Sequence, residues 1–181
     1  MALHNRIIGK KVPVVNIHIR KGPDWWDTNS SELFNKKTIL VFGLPGAFTP
    51  TCSTKMLPGY EADYDKFIDK GVDEVYCHAV NDSFVMNAWA ESLNIEKVKM
   101  LPDGNGDFAL GLGTNHKFRG KGFGGRTWRY VMLVKDSKIV NMYTEVGSGS
   151  DIAVNDPNFD PYEHTSSTWM LDHMDIEAKV E

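Results

Sequence analysis

Lys37-Thr-Ile-Leu-Val-Phe-Gly43 is a short, almost wholly apolar run ended by Gly43, Pro45 and Gly46, the pattern of a strand buried on both faces of a parallel sheet. Working outward, Gly59-Tyr-Glu-Ala-Asp-Tyr-Asp-Lys-Phe-Ile-Asp-Lys70 sets Tyr60, Tyr64, Phe67 and Ile68 on one stripe among charged residues, which predicts an amphipathic helix. Val72-Asp-Glu-Val-Tyr-Cys-His-Ala-Val80 reads as a second buried strand. Asn81-Asp-Ser then offers caps for a helix over residues 84–93, and Val98-Lys-Met-Leu101 adds a brief strand. The alternation strand, helix, strand, helix builds right-handed βαβ crossovers, so this part of the sheet is expected to be parallel.

The flanks complete the expectation. Val14-Val-Asn-Ile-His-Ile-Arg20 follows Pro13 and meets Gly22-Pro23, so it reads as a peripheral strand ending in a turn. Trp128-Arg-Tyr-Val-Met-Leu-Val134 and Lys138-Ile-Val-Asn-Met-Tyr143 flank the turn-forming pair Asp136-Ser137, which predicts an antiparallel hairpin and hence a mixed sheet. Thr165-Ser-Ser-Thr168 supplies hydroxyl caps for a last helix over residues 169–174. The expected fold class is α/β, a three-layer sandwich of a mixed β-sheet flanked by helices. No repeat, low-complexity stretch or linker divides residues 1–181, which are read as one domain.

Composition narrows the function classes. Twenty Lys and Arg against 24 Asp and Glu give a net charge of −4, without the positive excess that nucleic-acid backbones demand. The apolar runs fall far short of the roughly 20 residues needed to cross a bilayer. Met1-Ala-Leu-His-Asn-Arg-Ile-Ile-Gly-Lys10 lacks the long apolar core of a secretory signal, so a cytoplasmic location is expected. Cys52 and Cys77 are the only cysteines, too few for a disulfide scaffold and without the Cys/His spacing of a zinc site.

The chemistry concentrates in Gly43-Leu-Pro-Gly-Ala-Phe-Thr-Pro-Thr-Cys-Ser-Thr54, which joins the central strand to a helix and sets Cys52 in the loop or first helical turn. A helix N-terminus favours a thiolate over a thiol, whose ordinary pKa is about 8.5. Cys52 is therefore the candidate nucleophile rather than a buried small hydrophobe. Thr49, Thr51 and Ser53 bring hydroxyls near it, Pro45 and Pro50 restrict the loop, and Gly46 permits close backbone approach and is expected to line the substrate pocket. Gly120-Lys-Gly-Phe-Gly-Gly125 lacks the Gly-Lys-Ser/Thr ending of a phosphate loop, and Phe123 is expected instead at the apolar rim of a substrate pocket. No two histidines have the i, i+4 helical spacing of a zinc protease, and a Cys/His hydrolase would need His78, His116 or another brought to Cys52 by the fold.

Pro45-Gly-Ala-Phe-Thr-Pro-Thr-Cys52 resembles the active-site loop of peroxiredoxins, with Pro45, Thr49 and Cys52 at the motif's spacing. Together with Ala79-Val-Asn-Asp-Ser-Phe-Val-Met86 and Arg129-Tyr130, the sequence is similar to the type II, peroxiredoxin-5-like group, found also in peroxiredoxin/glutaredoxin hybrids. The resemblance spans roughly residues 10 to 175. It implies a thioredoxin-like fold, no bound cofactor or metal, and reduction of hydrogen peroxide and alkyl hydroperoxides by a thiolate that becomes a sulfenic acid. Carried over by position, Cys52 is the peroxidatic cysteine, Thr49 orients the peroxide, Pro45 shields the pocket and Arg129 lies beside the sulfur. Physical chemistry asks for the same parts: an ionised sulfur, a cation to hold it so, and donors aimed at the departing oxygen. Arg126 is the second candidate for that cation.

Cys77 sits within an apolar strand and is read as buried and inert, with a resolving role as the lesser reading. Some relatives carry a second cysteine on this strand and others late in the chain, but Gly147-Ser-Gly-Ser-Asp-Ile-Ala-Val-Asn-Asp156 holds none. A one-cysteine cycle follows, with glutathione and glutaredoxin as the expected external reductant and thioredoxin as the alternative. The resemblance also implies a homodimer through loops bordering the site, with Phe48 and Phe84 as contacts. The rival readings are a peroxide-sensing redox interaction protein built on Cys52, and a chemically inert client-binding scaffold.

Overall fold

The run that decides the sequence reading forms β3 (Thr38–Gly43), the middle strand of a five-stranded sheet. In this computed structural model, which describes residues 6–148 and 156–176, the sheet order is β5-β4-β3-β8-β9. Residues 1–5 of the N-terminal stretch 1–10 and most of the stretch 147–156 lie outside the described residues. Here β4 is Glu74–Ala79, β5 Lys99–Pro102, β8 Tyr130–Lys135 and β9 Lys138–Thr144. β3, β4 and β5 run parallel, whereas β8 and β9 are antiparallel neighbours on the other side. The sheet is mixed, as its residues predict. Asp136 and Ser137 both take positive φ, 46° and 65°, which is the two-residue hairpin turn whose twist matches the flanking strands.

Alternation of side chains splits the core into two layers. Leu40, Phe42, Cys77, Ala79, Val131 and Leu133 face a layer built by α2 (Leu57–Ala62), α3 (Tyr64–Asp69), α4 (Ser83–Ser92) and the last helix, α6 (Ser167–His173). Ile39, Val41, Tyr76, Tyr130 and Met132 face α1 (Ser30–Leu33), α5 (Asp107–Leu112) and β1 (Asn16–Lys21). Asp82 caps α4 by accepting from Val85 N at 3.0 Å, and Ser166 caps α6 by accepting from Trp169 N at 3.2 Å. Among the described residues no helix is long and apolar enough to cross a membrane.

Two local expectations are corrected, and some short elements are new. The helix expected over residues 59–70 is two helices broken at Asp63, whose carboxylate accepts from Ser167 Oγ and Lys66 Nζ, each at 2.7 Å. The early strand is shifted to Asn16–Lys21 and pairs with β2 (Asp24–Asn29), a strand whose outward Trp25 and Trp26 hide any alternation. α5 and the hairpin of β6 (Asn115–Phe118) with β7 (Gly124–Thr127) are too short and glycine-rich to announce themselves.

Glu74 ties the sheet's edge. Its Oε1 accepts from Lys99 Nζ (2.7 Å) and Lys37 Nζ (3.2 Å), and its Oε2 accepts from the Tyr76 hydroxyl (2.9 Å). Burial pushes the carboxyl up, but the hydrogen bonds from Lys99, Tyr76 and Lys37 outweigh it and hold its pKa below the ordinary value. A depressed acid stabilises fully above its unfolded pKa of about 4.3, and that contribution is lost as pH falls through the folded value. Glu74→Gln is therefore expected to cost about 1 kcal/mol at pH 7, screening by solvent included, and far less near pH 3. Urea midpoints at the two pH values check this, and an equal gap at both would reject it.

Candidate active site

The helix after β3 begins at residue 50, with Pro50 in its first turn, where a missing N–H does no harm. Ser53 N donates to Thr49 O at 3.0 Å, and Cys52 opens a π-helical turn, Cys52–Met56, that runs on into α2. Such turns are rare and concentrate at functional positions. Phe48, just before, holds φ at 61°, an uncommon conformation for a bulky side chain. Cys52 is 1% exposed.

Arg129, immediately before β8, reaches this sulfur. Its guanidinium is 2% exposed and places Nη1 3.6 Å from Cys52 Sγ and 3.3 Å from Met56 Sδ. Nε donates to Pro161 O at 3.1 Å and Nη2 to Asp160 Oδ1 at 2.5 Å. Burial works against the charge, but Cys52 and Asp160 outweigh it and raise the arginine pKa, so the cation is permanent. Thr49 Oγ1 donates to Gly46 O at 2.7 Å, which leaves its lone pairs free to accept from an incoming O–H.

Arg126, the competing cation, has a different place. It is half-buried, with Nε on Phe123 O at 3.1 Å, Nη1 3.4 Å from both Pro45 O and Asn81 Oδ1, and its guanidinium over the Phe123 ring. A Cβ on Gly46 would lie 2.4 Å from Arg126 Nη1, so the close approach expected at Gly46 is to this guanidinium. Asn81 Oδ1 also accepts from Ala47 N at 3.0 Å. The sequence offered Asn81 only as a helix cap; the structure makes it the clasp of the loop.

Pro45, Thr49 and Phe123 come together, with Pro50, Lys121 and Asp160, around an open trough of about 500 Å³. A small cleft sharing Pro45, Lys121 and Asp160 leads from it to Arg129. Cys77 does not join them: it is fully buried on β4, and burial, with a smaller contribution from Cys52, pushes its thiol well up. Both thiols are free. Ser53 Oγ is engaged elsewhere, accepting from Trp89 Nε1 at 3.0 Å.

A buried sulfur under a permanent cation at the start of a helix is the arrangement of a reactive thiol, and the comparisons with known proteins say which kind. Residues 8–159 match the Redoxin family. Over 173 residues the chain is 43% identical to hybrid peroxiredoxin hyPrx5 of Haemophilus influenzae, covering 96% of this chain and 68% of that protein. The chain belongs to the type II peroxiredoxins. Among solved structures it is similar to reduced Prx3 of Vibrio vulnificus in complex with hydrogen peroxide, with a TM-score of 0.81, 31% identity, and coverage of 91% and 96% of the two chains. The Plasmodium falciparum antioxidant protein, a 1-Cys peroxiredoxin, gives a TM-score of 0.81 at 35% identity, covering 88% and 94%. This peroxiredoxin thus has the thioredoxin-like fold expected of it, and it is a peroxidase that acts on peroxides with a thiol reductant.

Proposed function

We propose that the peroxidase runs a one-cysteine cycle on Cys52, reducing hydrogen peroxide and alkyl hydroperoxides. The observation that carries this reading is the placement of Arg129 Nη1 at 3.6 Å from Cys52 Sγ while Cys77 is fully buried on β4. The Cys52 thiolate attacks the terminal peroxide oxygen, a sulfur–oxygen bond forms, the O–O bond breaks, and the departing oxygen takes a proton to leave as water or alcohol. Thr49 accepts a hydrogen bond from the peroxide O–H, Arg129 stabilises charge on sulfur and oxygen, and Pro45 shields the trough from bulk solvent.

The resulting sulfenic acid condenses with an external thiol, releasing water, and a second thiol displaces the mixed disulfide to restore Cys52. Glutathione with glutaredoxin is the reductant we assign, with thioredoxin the alternative. The similarity to a 1-Cys peroxiredoxin supports the single-cysteine form. Phe48 and Phe84, 59% and 56% exposed, are the contacts we assign to a homodimer.

Stopped-flow mixing of reduced protein with hydrogen peroxide, followed by tryptophan fluorescence, tests the cycle. The expected result is a fast phase absent in Cys52→Ser, unchanged within about twofold in Cys77→Ser, and reset by glutathione plus glutaredoxin. Loss of recovery in Cys77→Ser would make Cys77 a resolving residue. Oxidation at the pace of an ordinary thiol would favour the redox-sensing reading.

A further inference from the structure

Arg129 is held chiefly by one stretch of chain between β9 and α6. Asp160 takes Nη2, Pro161 takes Nε, and the Tyr162 ring lies 5.7 Å from the guanidinium carbon. The stretch is itself pinned: Glu145 Oε1, fully inside, accepts from Glu163 N (2.8 Å), Thr165 N (2.9 Å) and Thr165 Oγ1 (2.8 Å), and the Tyr60 hydroxyl donates to Thr165 O at 2.8 Å. Asp160 thus stands on a fixed base. We propose that Asp160 is a positioning residue for the peroxidase reaction: its carboxylate grips Nη2 of Arg129 and so aims Nη1 at the Cys52 sulfur.

The argument turns on two effects of opposite sign. As a charge, Asp160 works against the chemistry, because an anion paired with Arg129 weakens the field that favours an ionised sulfur. As a shape, it works for it. A guanidinium is a rigid fork on a flexible stem, and fixing two of its arms fixes the third. Two acceptors, Asp160 Oδ1 and Pro161 O, hold the other nitrogens and leave Nη1 facing the two sulfurs among the described residues. Misplacement by about 1 Å at a reacting centre can lower a rate a hundredfold, which exceeds what a one-third exposed carboxylate takes from the field. Among the described residues, Arg129, Arg126, Tyr162 and Cys77 are titratable groups that interact with the sulfur, and Lys121 shares the trough with Asp160.

The proposal rests on Cys52 being the oxidised sulfur, and the test separates the two. In full-length Cys77→Ser protein, Asp160→Ala, Asp160→Asn and Asp160→Ser are compared for stopped-flow oxidation by hydrogen peroxide and for alkylation of Cys52 by iodoacetamide across pH. Asparagine keeps the acceptor and loses the charge. Asp160→Ala and Asp160→Ser are expected to oxidise about tenfold or more slowly, with alkylation at its high-pH plateau within about twofold of the parent. Asp160→Asn is expected to stay within about threefold in oxidation while its alkylation profile moves to lower pH. Parental oxidation rates in the Ala and Ser variants would overturn the proposal, as would equal losses in Ala and Asn, which would make charge and not aim the contribution. A slow parent would sink the Cys52 reading instead. The two short side chains guard against one variant failing to fold.

Discussion

Arg129→Ala is expected to slow oxidation of Cys52 by hydrogen peroxide about 10²–10³-fold, the loss typical when a preorganised donor to a developing charge is removed. The guanidinium is nearly sealed from water, so its field at the sulfur is not screened, and its pKa is raised, so no accessible pH discharges it. Its alanine replacement leaves Asp160, about one-third exposed, able to rehydrate, which limits the damage to folding. Arg129→Lys is the sharper comparison. A lysine keeps the charge but cannot reach Pro161 O, Asp160 and both sulfurs at once, so an intermediate loss of about tenfold or more is expected. Stopped-flow fluorescence gives the rates, and near-ultraviolet circular dichroism shows whether the fold is kept. A rate within about threefold of wild type in Arg129→Ala would move the role to Arg126, which lies close enough for Cys52 to support its charge.

The sequence carried the sheet's central strands and the sulfur plainly, because both are local signals. β3 and β4 are continuous apolar runs, and the loop Pro45-Gly-Ala-Phe-Thr-Pro-Thr-Cys52 is one contiguous motif. What it hid are ties between distant residues. The break at Asp63 is anchored by Ser167, 104 positions away, and no periodicity within residues 59–70 registers that partner. Asp160 and Arg129 are separated by 31 positions, and neither residue type at its place predicts the pair. Asn81 likewise looks like a cap by type, yet the cap is Asp82, and Asn81 faces the loop 34 positions before it. Local propensity reads elements; the orientation of a buried guanidinium depends on which loops fold over it.

Gly43→Ala is the other large effect, and it falls on stability. Gly43 pairs directly with Tyr130 across β3 and β8 and with His78 across β3 and β4. The Tyr130 ring lies over the glycine, and a Cβ built there would sit 2.0 Å from Cε1 and 2.5 Å from Cδ1. The ring has little freedom to retreat. It is fully buried, and its hydroxyl is 2.9 Å from His78 Nδ1, while His78 Nε2 is 3.1 Å from Asp103 Oδ2. Asp103 in turn accepts from Phe108 N and Ala109 N at the start of α5, so moving the ring disturbs strand, histidine and helix together. Overpacking a core generally costs 1–3 kcal/mol, and this rigid neighbour puts the expected loss at about 3 kcal/mol or more, read from urea unfolding. Tyr130→Leu alone also destabilises, by leaving His78 without its hydroxyl partner. In the double variant the added methyl has room, so the two losses should fall short of their sum by about 2 kcal/mol. Strict additivity would show that the ring is not what reserves position 43 for glycine.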